Sequence, residues 1–217
     1  DPAAFRIATV SPAVTLRVAG ETADVKGGDR GLRLSAANRG AARTGAWARA
    51  SLPFPAPYCN LSGTAALGVW VKGDGSGALL NLQLGSPREY MQGLSDHLVT
   101  LDFTGWRYVE LLMRERDAGQ MTDFLWPYGG AYHTCYRTGL DMAHISDVSL
   151  YLNNLPEGGG AEVVLGPIVA LPIRPARLER PSLTVNGRTL VLPVTLASGD
   201  FLELERDGVC THHNEQG

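Results

Sequence analysis

Apolar residues in this chain recur at every second position in short runs, and almost nowhere with the 3.6-residue period of a helix. Such runs occupy residues 5–10, 14–18, 31–36, 46–52, 66–72, 78–84, 98–103, 106–112, 146–153 and 162–171. Each is bounded by Gly, Pro, Asn, Asp or Ser, the residues that turn antiparallel strands back on themselves. The 26 glycines and 13 prolines make up roughly 18% of the chain against a usual ~12%, which leaves little room for long helices. The expected fold is therefore all-β, an antiparallel two-sheet β-sandwich of jelly-roll type. One short helix is expected at 138–144.

Alternation also assigns faces. Leu80, Leu82 and Leu84 share one side of their strand while Asn81 and Gln83 share the other. Likewise Val148, Leu150 and Leu152 point inward, which sends Ser149, Tyr151 and Asn153 outward. A sheet face carrying Asn81, Gln83, Tyr151 and Asn153 is polar and flat enough to hold a polyol. Gly73-Asp74-Gly75-Ser76-Gly77 lacks the Lys-Ser/Thr ending and following helix of a phosphate loop, and reads as a hairpin turn between strong strands.

The sandwich is expected to span residues 1–172. A Pro/Arg-rich stretch at 173–181 reads as a linker, with Pro175, Pro181, Arg174, Arg177 and Arg180. Residues 182–217 form a small β-hairpin extension, a module too small to fold readily alone or the start of a neighbouring domain, with Val185-Asn186-Gly187-Arg188 its strongest turn signal. The first residues carry neither an initiator Met nor a signal-peptide core, so the chain reads as a part of something longer.

A formal net charge of −3 argues against a nucleic-acid partner, which needs a basic footprint. No apolar run reaches the roughly 18–20 residues of a membrane span. Of the 19 basic residues only Lys26 and Lys72 are lysines. Cys59, Cys135 and Cys210 have no paired C-x-x-C spacing, so a thiolate zinc site is not expected; a Cys59–Cys135 disulfide and buried free thiols both remain open. The five histidines show no H-E-x-x-H spacing, and no G-x-S-x-G elbow is present.

Residues 124–136 hold Phe124, Trp126, Tyr128, Tyr132 and Tyr136, five of the chain's 16 aromatics, broken by Pro127 and Gly129-Gly130. Such rings can stack on the apolar face of a pyranose while His133, Arg137 and Asp123 bond its hydroxyls or a carboxylate. The competing reading is a lid with its rings buried. In the Gly-rich stretch 21–31, Glu21, Asp24 and Asp29 suit a calcium ion, which takes 6 to 8 oxygens, or are solvated turn charges.

Three segments together resemble the β-sandwich carbohydrate-binding modules of galactose-binding or jelly-roll type appended to glycan-active enzymes. They are Ala66-Leu67-Gly68-Val69-Trp70-Val71-Lys72-Gly73-Asp74-Gly75-Ser76-Gly77, then Leu101-Asp102-Phe103-Thr104-Gly105-Trp106-Arg107-Tyr108, then residues 145–155 ending Leu150-Tyr151-Leu152-Asn153-Asn154-Leu155. The resemblance covers about residues 5–172. It implies a secreted or periplasmic, non-catalytic module that binds polysaccharide or oligosaccharide beside a neighbouring catalytic domain, with a structural calcium in an early loop, here Glu21, Asp24 and Asp29. The aromatic stretch is longer and richer than the group's pattern. Trp126, Tyr128, Tyr132 and Tyr136 are then the stacking candidates, and Asn81, Gln83, Tyr151, Asn153, His133 and Arg137 the polar contacts.

Two other readings compete. A small jelly-roll polysaccharide lyase would use Tyr132 or His133 as base beside Arg137 or Arg88 on a uronate. A structural interaction domain of a multidomain glycoside hydrolase would pack the aromatic stretch against its neighbour.

Overall fold

The computed structural model describes residues 4–87, 93–113, 140–172, 177–180, 182–185, 188–191, 195–197, 201–204 and 210–213. Two units divide the chain, Asp1–Leu171 and Pro172–Gly217. The first is the expected all-β sandwich of two sheets. Its five-stranded sheet runs β1 (Arg6–Val10), β4 (Ala48–Pro53), β9 (Asp147–Asn153), β6 (Leu79–Ser86), β7 (Gly93–Thr100). Its six-stranded sheet runs β11 (Val169–Pro172), β5 (Thr64–Asp74), β10 (Gly160–Leu165), β3 (Gly31–Asn38), β2 (Val14–Glu21), with β8 (Thr104–Leu112) also paired to β5.

The core lies between the sheets. Leu80, Leu82 and Leu84 of β6 and Leu150 and Leu152 of β9 join Leu34 of β3, Val71 of β5 and Val163 and Leu165 of β10 in one cluster, each at most 2% exposed. Burying each such side chain contributes roughly 1.5–3 kcal/mol. At one end an apolar cavity of about 510 Å³ opens between the sheets, lined by Phe5, Leu52, Phe54, Leu67, Leu82 and Ile168 among others.

Several sequence expectations are corrected. The turn at 73–77 does not make a hairpin: β5 pairs along its length with β8, from Ala66 opposite Leu112 to Asp74 opposite Thr104, while β6 pairs with β7 and β9 in the other sheet. Gly75 and Gly77, both at positive φ, therefore carry the chain from one sheet to the other. The strand expected at 98–103 is β7, which begins at Gly93 because β6 offers it a full register from Ser86↔Gly93 to Leu79↔Thr100. The run 162–171 breaks into β10 and β11 at Gly166-Pro167.

The helix expected at 138–144 is not formed over its described part, 140–144. A turn at Met142-Ala143 stands there instead, because the Asp141 side chain accepts the Ala143 N–H at 3.1 Å and its carbonyl accepts the His144 N–H at 3.1 Å. No helix among the described residues is long and apolar enough to cross a membrane.

In the second unit, β13 (Ser182–Val185) and β14 (Arg188–Val191) form the hairpin that Asn186-Gly187 signals, with Val185 opposite Arg188. The stretch 173–181 is not wholly a connector, since β12 (Arg177–Glu179) pairs with β15 (Thr195–Ala197). Finally, β16 (Phe201–Leu204) pairs with β17 (Cys210–His213).

Candidate functional site

Register fixes what the outer face of the five-stranded sheet carries, because residues directly opposite in an antiparallel pair share a face. Arg49 lies opposite Tyr151, Tyr151 opposite Asn81, Ser149 opposite Gln83, and Gln83 opposite Asp96. The polar members bond to one another. Asp96 Oδ1 accepts from Asn81 Nδ2 at 2.6 Å and from Gln83 Nε2 at 2.8 Å, and the Tyr151 hydroxyl donates to Gln83 Oε1 at 3.4 Å. On the next strand Arg49 donates through Nε and a terminal nitrogen to Ser149 Oγ at 3.1 and 2.9 Å, and Ser149 Oγ donates to Asp147 Oδ1 at 3.3 Å.

The face has two halves. Asn81, Gln83, Tyr151 and Asn153 stand on it as alternation requires, yet they are buried, at 0, 4, 0 and 1% exposure, so the open flat surface expected from the sequence is closed there. Toward β4 the face is partly open. Trp47 and Arg49 are half-buried, with the Trp47 ring 6.2 Å from the Tyr151 ring and the Arg49 guanidinium 5.5 Å above it. That geometry is an aromatic pair with a cation laid across it. Among the described residues Asn153 has no hydrogen-bond partner at Nδ2 or at Oδ1, and neither has Asn154 at Oδ1. Each such buried orphan costs about 1–3 kcal/mol unless a ligand or water completes it.

Trp47, Arg49 and Asp96 were not singled out from the sequence. A signal for the first two exists: Ala46, Ala48 and Ala50 alternate with Trp47, Arg49 and Ser51, so small core residues place the larger ones outside. Trp126, Tyr128, Tyr132, His133, Tyr136 and Arg137 lie outside the described residues, as does Arg88.

The three carboxylates expected to hold calcium are not brought together as a ligand set. Glu21 Oε1 accepts the N–H groups of Thr22, Ala23 and Asp24 at 3.0, 2.8 and 3.3 Å, and Oε2 accepts Arg33 Nε at 3.0 Å. Asp24 Oδ1 accepts the Trp106 indole N–H at 2.8 Å, and its Oδ2 is ion-paired with Lys72. Asp29 is exposed and lines the apolar cavity instead. Among the described residues no group of three or more His, Cys, Asp or Glu could hold a metal ion. Cys59 has no disulfide partner among them.

The Arg33 hydrogen bond, with the Ala23 and Asp24 N–H groups behind it, holds the Glu21 carboxyl down at about 2 against an ordinary 4.5. Lys72 first, and Trp106 second, hold Asp24 below its usual range. A carboxyl depressed by folding adds stability that is present above the ordinary value and is lost as pH falls through the folded one. Glu21→Gln is therefore expected to melt below wild type near neutral pH, with the gap closing between 4.5 and about 2. Thermal unfolding of both proteins across that range checks it; a gap that stays constant would show that Glu21 ionisation adds nothing.

No known family's sequence profile matches the chain, and no curated protein matches it. Solved structures do. The family 11 carbohydrate-binding module of the cellulosomal cellulase Lic26A-Cel5E of Clostridium thermocellum matches with a TM-score of 0.53 at 11% identity, over 78% of this chain and 88% of that one. A family 11 module from the same organism, in complex with a β-1,3-1,4-mixed-linked tetrasaccharide, matches with a TM-score of 0.52 at 14% identity, over 76% and 86%. At such identities the likeness shows the fold alone: the sandwich is built as carbohydrate-binding modules are built.

Proposed function

We propose that this chain is a non-catalytic carbohydrate-binding module that holds a polysaccharide or oligosaccharide against the outer face of its five-stranded sheet, beside a glycan-active catalytic domain. The observation that carries the reading is the composition of that face. An aromatic pair, Trp47 and Tyr151, is crossed by Arg49 on rigid strand backbone, next to buried amides of which Asn153 has both its donor and its acceptor unmatched among the described residues. Sugars present both an apolar ring face and hydroxyls that donate and accept, so one ligand class answers both features. Trp126, Tyr128, Tyr132 and Tyr136 add stacking in this reading, with His133 and Arg137 as polar partners. A few such contacts support single-site affinity in the micromolar to millimolar range.

The test is affinity gel electrophoresis against a polysaccharide panel that includes mixed-linked β-glucan and uronate polymers, with ultraviolet absorbance of unsaturated products followed in the same samples. Retardation without products is expected. Arg49→Ala and Trp47→Ala should each weaken binding about tenfold or more, the loss of one charge-assisted hydrogen bond or one stacking ring, without lowering the melting temperature by more than a few degrees. Retardation that survives both substitutions would move the site off this face, and new unsaturated products would replace the reading with a lyase.

A further inference from the structure

The loop 21–31 is where the family resemblance places a calcium ion, and the groups there do not fit one. Calcium needs 6 to 8 oxygens with free lone pairs facing one point. Both Glu21 oxygens and both Asp24 oxygens already accept from N–H and ammonium groups of this chain. Charge says the same. Arg33 is ion-paired with both Glu21 and Glu162, and Lys72 with Asp24, so each of these carboxylates already faces a cation of this chain. A divalent cation would add two positive charges beside Arg33 and Lys72.

The loop is also seated by packing. The Lys26 ammonium lies 4.7 Å from the centre of the Trp70 ring. Gly27 sits at φ +80 with its Cα so close to Trp70 that a Cβ would stand 2.8 Å from the indole Cδ1, so only glycine serves there. Lys26 and Lys72, the chain's only lysines, thus both serve this one loop.

We propose that loop 21–31 is clasped onto the six-stranded sheet by Lys72 and Arg33, whose ammonium and guanidinium groups do the work of a divalent cation, and by Lys26 laid over Trp70, so that the loop is ordered without calcium. The clasp is independent of what the opposite face binds.

The experiment is thermal unfolding of the full chain in excess EDTA and in millimolar calcium chloride, the range in which extracellular calcium sites fill, for wild type, Glu21→Gln and Asp24→Ala. Wild type is expected to melt at the same temperature in both buffers, and Asp24→Ala to melt about 2–4 °C lower in both. A calcium response of equal size in all three proteins also agrees, since it arises elsewhere. Wild-type stabilisation by calcium that vanishes in either variant would overturn the proposal. So would an Asp24→Ala protein that melts with wild type. Should Asp24→Ala not fold, Asp24→Asn keeps an acceptor for the Trp106 indole and reads the same calcium response.

Discussion

Asp96→Ala is expected to unfold at markedly lower urea than wild type, with a loss of about 2–4 kcal/mol. Asp96 is buried on the outer face of the five-stranded sheet, and one of its oxygens accepts from both Asn81 Nδ2 and Gln83 Nε2. Truncation leaves two buried amide donors without that acceptor, and each orphan costs about 1–3 kcal/mol. Asp96→Asn keeps an oxygen in place and should lose less than the alanine variant. Urea unfolding followed by tryptophan fluorescence separates the two. Alanine and asparagine variants with the wild-type midpoint would mean that the network contributes nothing to stability.

The second large effect belongs to the other side of the same sheet. Leu150 is 1% exposed, opposite Ala50 on β4 and Leu82 on β6. Its truncation to alanine removes buried methyl groups between close-packed neighbours, at a cost of about 2–5 kcal/mol. Leu82→Ala should cost less than Leu150→Ala, because Leu82 lines the cavity between the sheets and has fewer packing contacts to lose. The denaturant slope should stay unchanged in both, since the same surface is exposed on unfolding. Equal losses at the two positions would show that the cavity wall is as tightly packed as the core.

The period-two pattern made the sandwich legible, because Leu80, Leu82 and Leu84 can share a buried face only if the chain is extended. It failed where local chemistry and tertiary pairing disagree. Gly93, Ser95 and Asp96 look like turn residues, yet eight rungs of register against β6 make them strand. The glycines at 75 and 77 signal a turn, but nothing local says whether a turn returns to its own sheet or crosses to the other.

Face assignment was legible and exposure was not. Alternation puts Asn81, Gln83, Tyr151 and Asn153 away from the apolar core, but it carries no information about what covers a face. The loop 21–31 misled in a related way. Its carboxylates are visible in one short stretch, whereas the groups that satisfy them, Arg33, Lys72 and Trp106, arrive from 12, 48 and 82 residues away.

The placement of both lysines at one loop decides how this protein can be handled. A reagent that couples through lysine amines attaches at Lys26 or Lys72, and Lys72 lies on the outside of the six-stranded sheet, behind the face proposed to meet sugar. Immobilisation through Lys72 thus presents that face outward. Acylation, however, neutralises the Lys72 ammonium that is paired with Asp24, whereas reductive alkylation keeps the nitrogen charged. Active-ester coupling at Lys72 therefore removes the charge on which the proposed clasp relies, and reductive alkylation there keeps it.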